Sequence, residues 1–261
     1  MSEEANLTGE VIKQSKDVLG KAYDDLAHPT AKSIGNTISF LPRTIGIWLS
    51  KWEKWIINGE ESIRLTAEAV KEKAKEIPED KLTEPEPYVA VPAIQQLSYC
   101  YDSKELREMY ANLLVASMNT DTKYQVHPSF VDIIKQLTPD EAKLLSYLSK
   151  EPIQPLLSVR HILSAQGEYV ELVRHFTNIS EKICENPNGI YAYLDNLERL
   201  GLITILEGIA IKSDDLYRPL EEHALIQKYI QMPVKEKETV KIVRQKFMVT
   251  MFGSNFVETC L

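Results

Sequence analysis

The sequence predicts a mainly α-helical protein whose last third turns into an α+β unit. Three observations carry that expectation. Apolar residues recur at three- and four-residue spacing through most of the first 200 positions, the period of an amphipathic helix. Two helix-start signatures stand mid-chain, at Asp102-Ser103-Lys104-Glu105 and Thr138-Pro139-Asp140-Glu141. Beyond Gly201 the pattern changes to short β-branched runs around Glu207-Gly208, which read as strands about a turn. With 261 residues, 44% hydrophobic and 26% charged, the chain can build one large or two modest domains and bury a sizeable core without metal or disulfide staples.

Residues 1–29 are polar, with a weak period through Val11, Ile12, Ser15, Val18, Leu19 and Ala22, and read as a soft N-terminal arm. Residues 30–87 read as amphipathic helices followed by an acidic, proline-rich connector. Ile45, Trp48, Leu49, Trp52, Trp55 and Ile56 share one helical face, with Lys51, Glu53 and Lys54 opposite. Asn58-Gly59 ends that helix, Glu60 to Ile77 has the Ala/Glu/Lys richness of a solvated one, and Pro78, Pro85 and Pro87 bracket the connector.

Residues 88–150 are expected to form a central helical domain. Pro92 suits a first helical turn, with Ile94, Leu97, Ser98 and Tyr101 on one face. Asp102 then takes the capping role for a helix burying Leu106, Met109, Tyr110, Leu113, Leu114 and Ser117. His127-Pro128 opens a short helix with Phe130, Ile133, Ile134 and Leu137 inward. Thr138 caps a third, with Ala142, Leu144, Leu145 and Leu148 inward.

Residues 151–261 form the last unit. Asn186 to Gly189 precede a helix burying Ile190, Tyr193, Leu194, Leu197 and Leu200, and Gly201 follows as the residue that accepts a left-handed C-terminal conformation. Leu202–Leu206 and Ile209–Lys212 then read as a hairpin. A helix running straight into a hairpin resembles a winged helix-turn-helix, so a winged-helix-like α+β domain is expected. Val240–Val249 reads as a further strand and Thr250–Cys260 as a closing helix.

Composition narrows the function. The net charge is −8 and no third of the chain is basic, so the broad electrostatic footprint of a nucleic-acid binder is missing. Cys100, Cys184 and Cys260 are odd in number and far apart, which fits a reducing cytosol and a cytoplasmic location. Met-Ser-Glu-Glu is acidic where a secretory signal is basic, and the most apolar stretch, 34–57, carries Arg43, Lys51, Glu53 and Lys54. No histidine pair has metal-ligand spacing, and no CxxC, GxSxG or phosphate-cradling glycine loop is present. No catalytic, cofactor-binding or metal-binding residue is therefore expected, and the reading is not an enzyme. His127 is read as capping or stacking at a helix boundary, and Asn112 as pairing a backbone group.

Trp48, Trp52 and Trp55, interleaved with Lys51 and Lys54, are the candidate interaction residues. Rings and lysines on one helix suit a membrane interface, but Glu53, Glu60 and Glu61 oppose anionic lipid, and packing in a core or against another subunit is favoured, with self-association the expected form. For DNA, the helix from Asn188 to Leu200 offers Asp195 and Glu198 against Arg199 alone, where groove reading needs several outward donors. Specific DNA binding is not expected.

Leu106, Tyr110-Ala111-Asn112-Leu113-Leu114, Met118, His127-Pro128-Ser129-Phe130 and Leu137-Thr138-Pro139-Asp140-Glu141-Ala142 together resemble the central block of the Abi-alpha (abortive infection alpha) family of bacteria. The tail from Met251 to Cys260 is similar to that family's Phe-Gly…Phe…Cys pattern. The resemblance implies phage defence by abortive infection and carries no catalytic residues. The reading is thus a cytoplasmic, non-enzymatic interaction protein, a homo-oligomer or partner binder. The alternatives are a DNA-binding winged-helix regulator and a membrane-perturbing effector acting through 34–57.

Overall fold

The computed structural model describes residues 60–261 except Ser98 and Tyr101. The arm at 1–29, the helix expected at 34–57 and Trp48, Trp52 and Trp55 lie outside the described residues. The described chain divides into two compact units, one of residues 60–102 with 114–124, the other of 103–113 with 125–261.

In the first unit, α1 (Glu60–Ala74) lies against α2 (Pro87–Leu97). The buried Ser62 hydroxyl donates to the Leu97 carbonyl, and Val70 and Ala74 continue the same buried stripe. Helix α2 starts at Pro87, not near Pro92 as the sequence reading has it. Pro87 takes the first position, where its missing N–H costs nothing, while Pro92 sits five residues further in. The carbonyl that Pro92 cannot serve belongs to Tyr88, an exposed residue open to water. The connector is pinned along its length. Leu82 bridges Asn119, Thr83 N–H donates to Met118, Thr120 N–H donates to Lys81, and Lys81 pairs with Asp121.

The second unit begins with the first turns of α3 (Lys104–Ser117). Its cap is Ser103, one residue after the Asp102 that the sequence suggested; the Ser103 hydroxyl accepts from Leu106 N–H at 3.2 Å. Leu106, Met109, Tyr110 and Leu113 are buried, as their spacing requires. Helix α4 (Ser129–Lys135) buries Phe130, Val131, Ile133 and Ile134. Helix α5 (Pro139–Leu148) opens with the full capping box. Thr138 Oγ1 accepts from Glu141 N–H at 3.2 Å, and Glu141 accepts from Thr138 N–H at 2.6 Å.

A four-stranded antiparallel sheet follows, in the order β2-β1-β4-β3: β1 (Ile153–Ile162), β2 (Tyr169–Phe176), β3 (Ile203–Leu206) and β4 (Thr239–Val249). Between β2 and β3 run α6 (Ser180–Ile183) and α7 (Ile190–Arg199). Between β3 and β4 run α8 (Asp214–Glu221) and α9 (Ala224–Ile230), and α10 (Met251–Cys260) closes the chain. Residues 209–212 are not a strand, so the hairpin expected after Gly201 does not form. Strand β3 instead pairs with β4, from Ile203↔Val249 to Leu206↔Lys246. Gly201 does take the left-handed conformation, at φ 74°.

Paired residues on antiparallel strands share a face. One face carries Leu157 and Val159 with Val173 and Phe176, and packs on Leu220 of α8 and Ile226 of α9. The other carries Leu156 opposite Gln245 and Gln154 opposite Phe247, all buried. Both free edges are blunted. Strand β2 has two register shifts against β1, and on β3 the Ile205 N–H is taken by the Glu198 carboxylate of α7 at 2.8 Å.

Candidate functional site

Two polar clusters are buried in the second unit, and they differ in how well their atoms are served. The first ties the start of α5 to α6 and α7. Asp140, at the second position of α5, accepts from Glu185 and Asn186 N–H at 2.9 Å each and from the Tyr193 hydroxyl at 3.1 Å. Burial disfavours its charge, but the Asn186 and Glu185 N–H donors, Tyr193 and nearby Lys143 outweigh this and hold its carboxyl below the usual aspartate range. Burial, together with the bond to Asp140, raises the Tyr193 phenol. Burial and the Asp140 charge push the half-buried Cys184 thiol up to about 11, away from the reactive thiolate. Glu141 receives Asn196 Nδ2 at 2.7 Å besides its cap bond. Arg199 bonds Gln136 Oε1 at 3.0 Å and Asn196 Oδ1 at 2.6 Å. Every acceptor here is engaged, as in a structural joint.

That joint has a pH signature. A carboxylate with a depressed folded pKa stabilises above its unfolded pKa of about 3.9, and the contribution is lost as pH falls through the folded value. Asp140→Asn is expected to cost roughly 1–3 kcal/mol at neutral pH and to flatten the stability loss of the wild type on acidification below about pH 4. Urea denaturation of both proteins from pH 6 to pH 3 checks this; parallel curves would remove Asp140 from the account.

The second cluster lies on the sheet face that carries Gln245. Strand β2 bulges where Ser158 faces it, between Leu157↔Phe176 and Val159↔Val173. The bulge places His175 at φ 53°, left-handed and without a glycine. Of non-glycine residues His is among the more tolerant of that region, but it remains a strained choice. His175 N–H donates to Ser158 Oγ at 3.1 Å, and Ser158 Oγ donates to Gln245 Oε1 at 3.4 Å. His175 is 5% exposed, Ser158 and Gln245 0%. His175 Nε2 stands 3.4 Å from Glu207 Oε1, yet neither it nor Gln245 Nε2 has a hydrogen-bond partner.

The residues singled out in the central block and tail form a third, apolar assembly. The His127 ring lies 5.9 Å from both Phe130, tilted, and Phe252, edge-on, and Phe130 meets Phe256 edge-on at 5.1 Å. His127 Nδ1 also accepts from Ser129 N–H at 3.2 Å, so the ring, one residue before the Pro128 cap position, serves the first helical N–H while packing on the two phenylalanines. Asn112 Nδ2 donates to the Cys260 carbonyl at 3.0 Å, fastening the end of α10. The sequence block and the tail therefore meet in one core. The pattern that defines the abortive infection alpha family matches residues 58–260. The chain belongs to that family.

No curated protein matches the chain. A solved structure, an uncharacterized protein from the hydrocarbon-degrading marine bacterium Alcanivorax borkumensis SK2, is similar at 20% identity over 54% of this chain and 94% of that one, with a TM-score of 0.35. Among the described residues of this abortive infection alpha protein, no helix is long and apolar enough to cross a membrane, and no three metal-binding side chains converge. The three cysteines are free thiols. Sequence reasoning missed His175, Ser158 and Gln245 as a group. One signal was present: Gln245 interrupts the otherwise apolar alternation Val243, Phe247, Val249.

Proposed function

We propose that this is a non-enzymatic interaction protein of phage defence, cytoplasmic, acting through protein–protein contacts. Membership of the abortive infection alpha family supports the defence role. The observation that carries the choice of contact is Arg199. It is the one cation of the α7 segment from Asn188 to Leu200, and its guanidinium is committed to Gln136 and Asn196. Glu198 of the same helix turns to the β3 edge, and Asp195 stays exposed. A helix whose exposed Asp195 and Glu198 are acidic and whose one Arg bonds neighbouring amides offers duplex DNA more repulsion than attraction.

The finer architecture of residues 151–261 belongs to the same proposal. Helix α7 runs through Gly201 into β3, and β1, β4 and β3 are neighbours in that order. We read this order as a winged-helix-like core in which the stretch holding α8 and α9 stands in place of a short wing. Winged domains also serve as protein-binding modules, and function follows the site rather than the fold.

The oligomer is assigned to Trp48, Trp52 and Trp55, whose aromatic area is too large to stay in water on a monomer. Replacing all three by Gln is expected to lower the sedimentation mass of the full chain and to abolish phage resistance in expressing cells, with the far-UV helical signal retained. A wild type that sediments as a monomer and floats with anionic liposomes would favour the membrane reading instead.

A further inference from the structure

We infer that His175, Ser158 and Gln245 form a carboxylate-binding site on the sheet, and that Glu207 sits over it as a tethered competitor. The site draws on three neighbouring strands of one sheet face. His175 comes from the edge strand β2, Ser158 from β1 and Gln245 from β4. Glu207 follows Leu206, whose pairing with Lys246 brings the next residue level with Gln245, on the face Gln245 shares with Leu156. The His175–Glu207 contact thus reaches from one edge of the sheet towards the other, across Ser158 and Gln245.

The floor of the site holds two buried nitrogens without hydrogen-bond partners. Gln245 Nε2 is fully buried and has no partner, because its Oε1 is the atom that meets Ser158. His175 Nε2 is buried and equally unserved. Buried polar nitrogens of this kind call for a partner, and with the proton on His175 Nε2 a carboxylate is an acceptor that suits either of them. Glu207 brings the right chemistry but not the right seat. In the other two His–Glu pairs of the described residues, His161–Glu238 and His223–Glu181, the nitrogen and oxygen lie 2.9 Å apart. At His175 the gap is 3.4 Å with no hydrogen bond, and Glu207 is 58% exposed on its side chain. The carboxylate stands beside Gly208, at φ 74°, in the turn that leaves β3, so a turn rather than a packed element holds it. The left-handed His175 fits the same account, since backbone strain of this sort collects where a side chain must be aimed.

The test uses the full chain labelled with 15N at histidine. Imidazole nitrogen shifts are followed by long-range 1H–15N correlation while sodium acetate replaces sodium chloride at constant ionic strength and pH. In Glu207→Ala, the His175 signal is expected to move and saturate, with acetate binding at least tenfold tighter than in the wild type. His161 and His223 serve as internal references and stay still. Acetamide moves nothing, and in the double variant Glu207→Ala with Gln245→Leu, which keeps the His175 signal but removes the second nitrogen, acetate binding weakens at least tenfold. N-acetyl-glutamate amide binding more tightly than acetate would mark an acidic side chain of a protein as the source; equal binding would mark a free carboxylate. A folded Glu207→Ala protein whose His175 ignores acetate, or responds no more strongly than the wild type, overturns the proposal.

Discussion

Gly253→Ala is expected to destabilise the protein by about 3 kcal/mol or more, although alanine is the better helix former by about 1 kcal/mol. Gly253 is the third residue of α10, whose cap is Thr250. Thr250 Oγ1 accepts from Gly253 N–H at 2.8 Å and donates to the Gly201 carbonyl at 2.6 Å, while Thr250 N–H donates to Leu202 O at 3.0 Å. The helix start is thereby drawn onto the chain that enters β3. A Cβ on Gly253 would stand 2.0 Å from Leu202 O and 2.8 Å from its carbonyl carbon. Both are backbone atoms, so no side chain can swing aside. Relief requires breaking the cap or shifting β3 against β4. Urea denaturation measures the loss; a midpoint within error of the wild type would mean that α10 does not dock on Leu202 as described.

Leu113→Ala is expected to cost roughly 2–5 kcal/mol, the loss of buried transfer energy plus a cavity that the surroundings only partly fill. Leu113 is wholly buried on α3, in the same unit as Tyr110, whose hydroxyl bonds the Val131 carbonyl at 3.1 Å. That bond and the Asn112 link to Cys260 hold the surroundings in place and limit their collapse into the gap. A loss below about 1 kcal/mol would place Leu113 at the surface and the helix phase in error.

What was legible in the sequence depended on whether the cause was local. Helix α5 was readable because Thr138, Pro139 and Glu141 each satisfy a need of the first helical turn within four residues. The cap of α3 was displaced by one, since Asp102 and Ser103 are both competent and only packing chooses between them. Strands β1 and β2 passed unread. Pro155 argues against a strand, but it lies beyond the reach of β2, whose pairing with β1 ends at Leu157. Residues 154–159 are also buried on both faces, which erases the alternation that betrays a half-exposed strand. The misplaced hairpin has a different origin. Neighbouring strands usually pair, and here the partner of β3 waits beyond two helices. The candidate site was the least readable part. The conformation of His175 follows from a register mismatch between strands, and no residue of β2 announces it.

The claim that contact is with protein and not with DNA is tested most directly by fluorescence anisotropy of a labelled random duplex against the full chain at low salt. The account predicts no binding below micromolar protein, because α7 carries acidic residues and its Arg199 is already committed. Sub-micromolar binding that weakens steeply as salt rises, the mark of phosphate contacts releasing counterions, would contradict it.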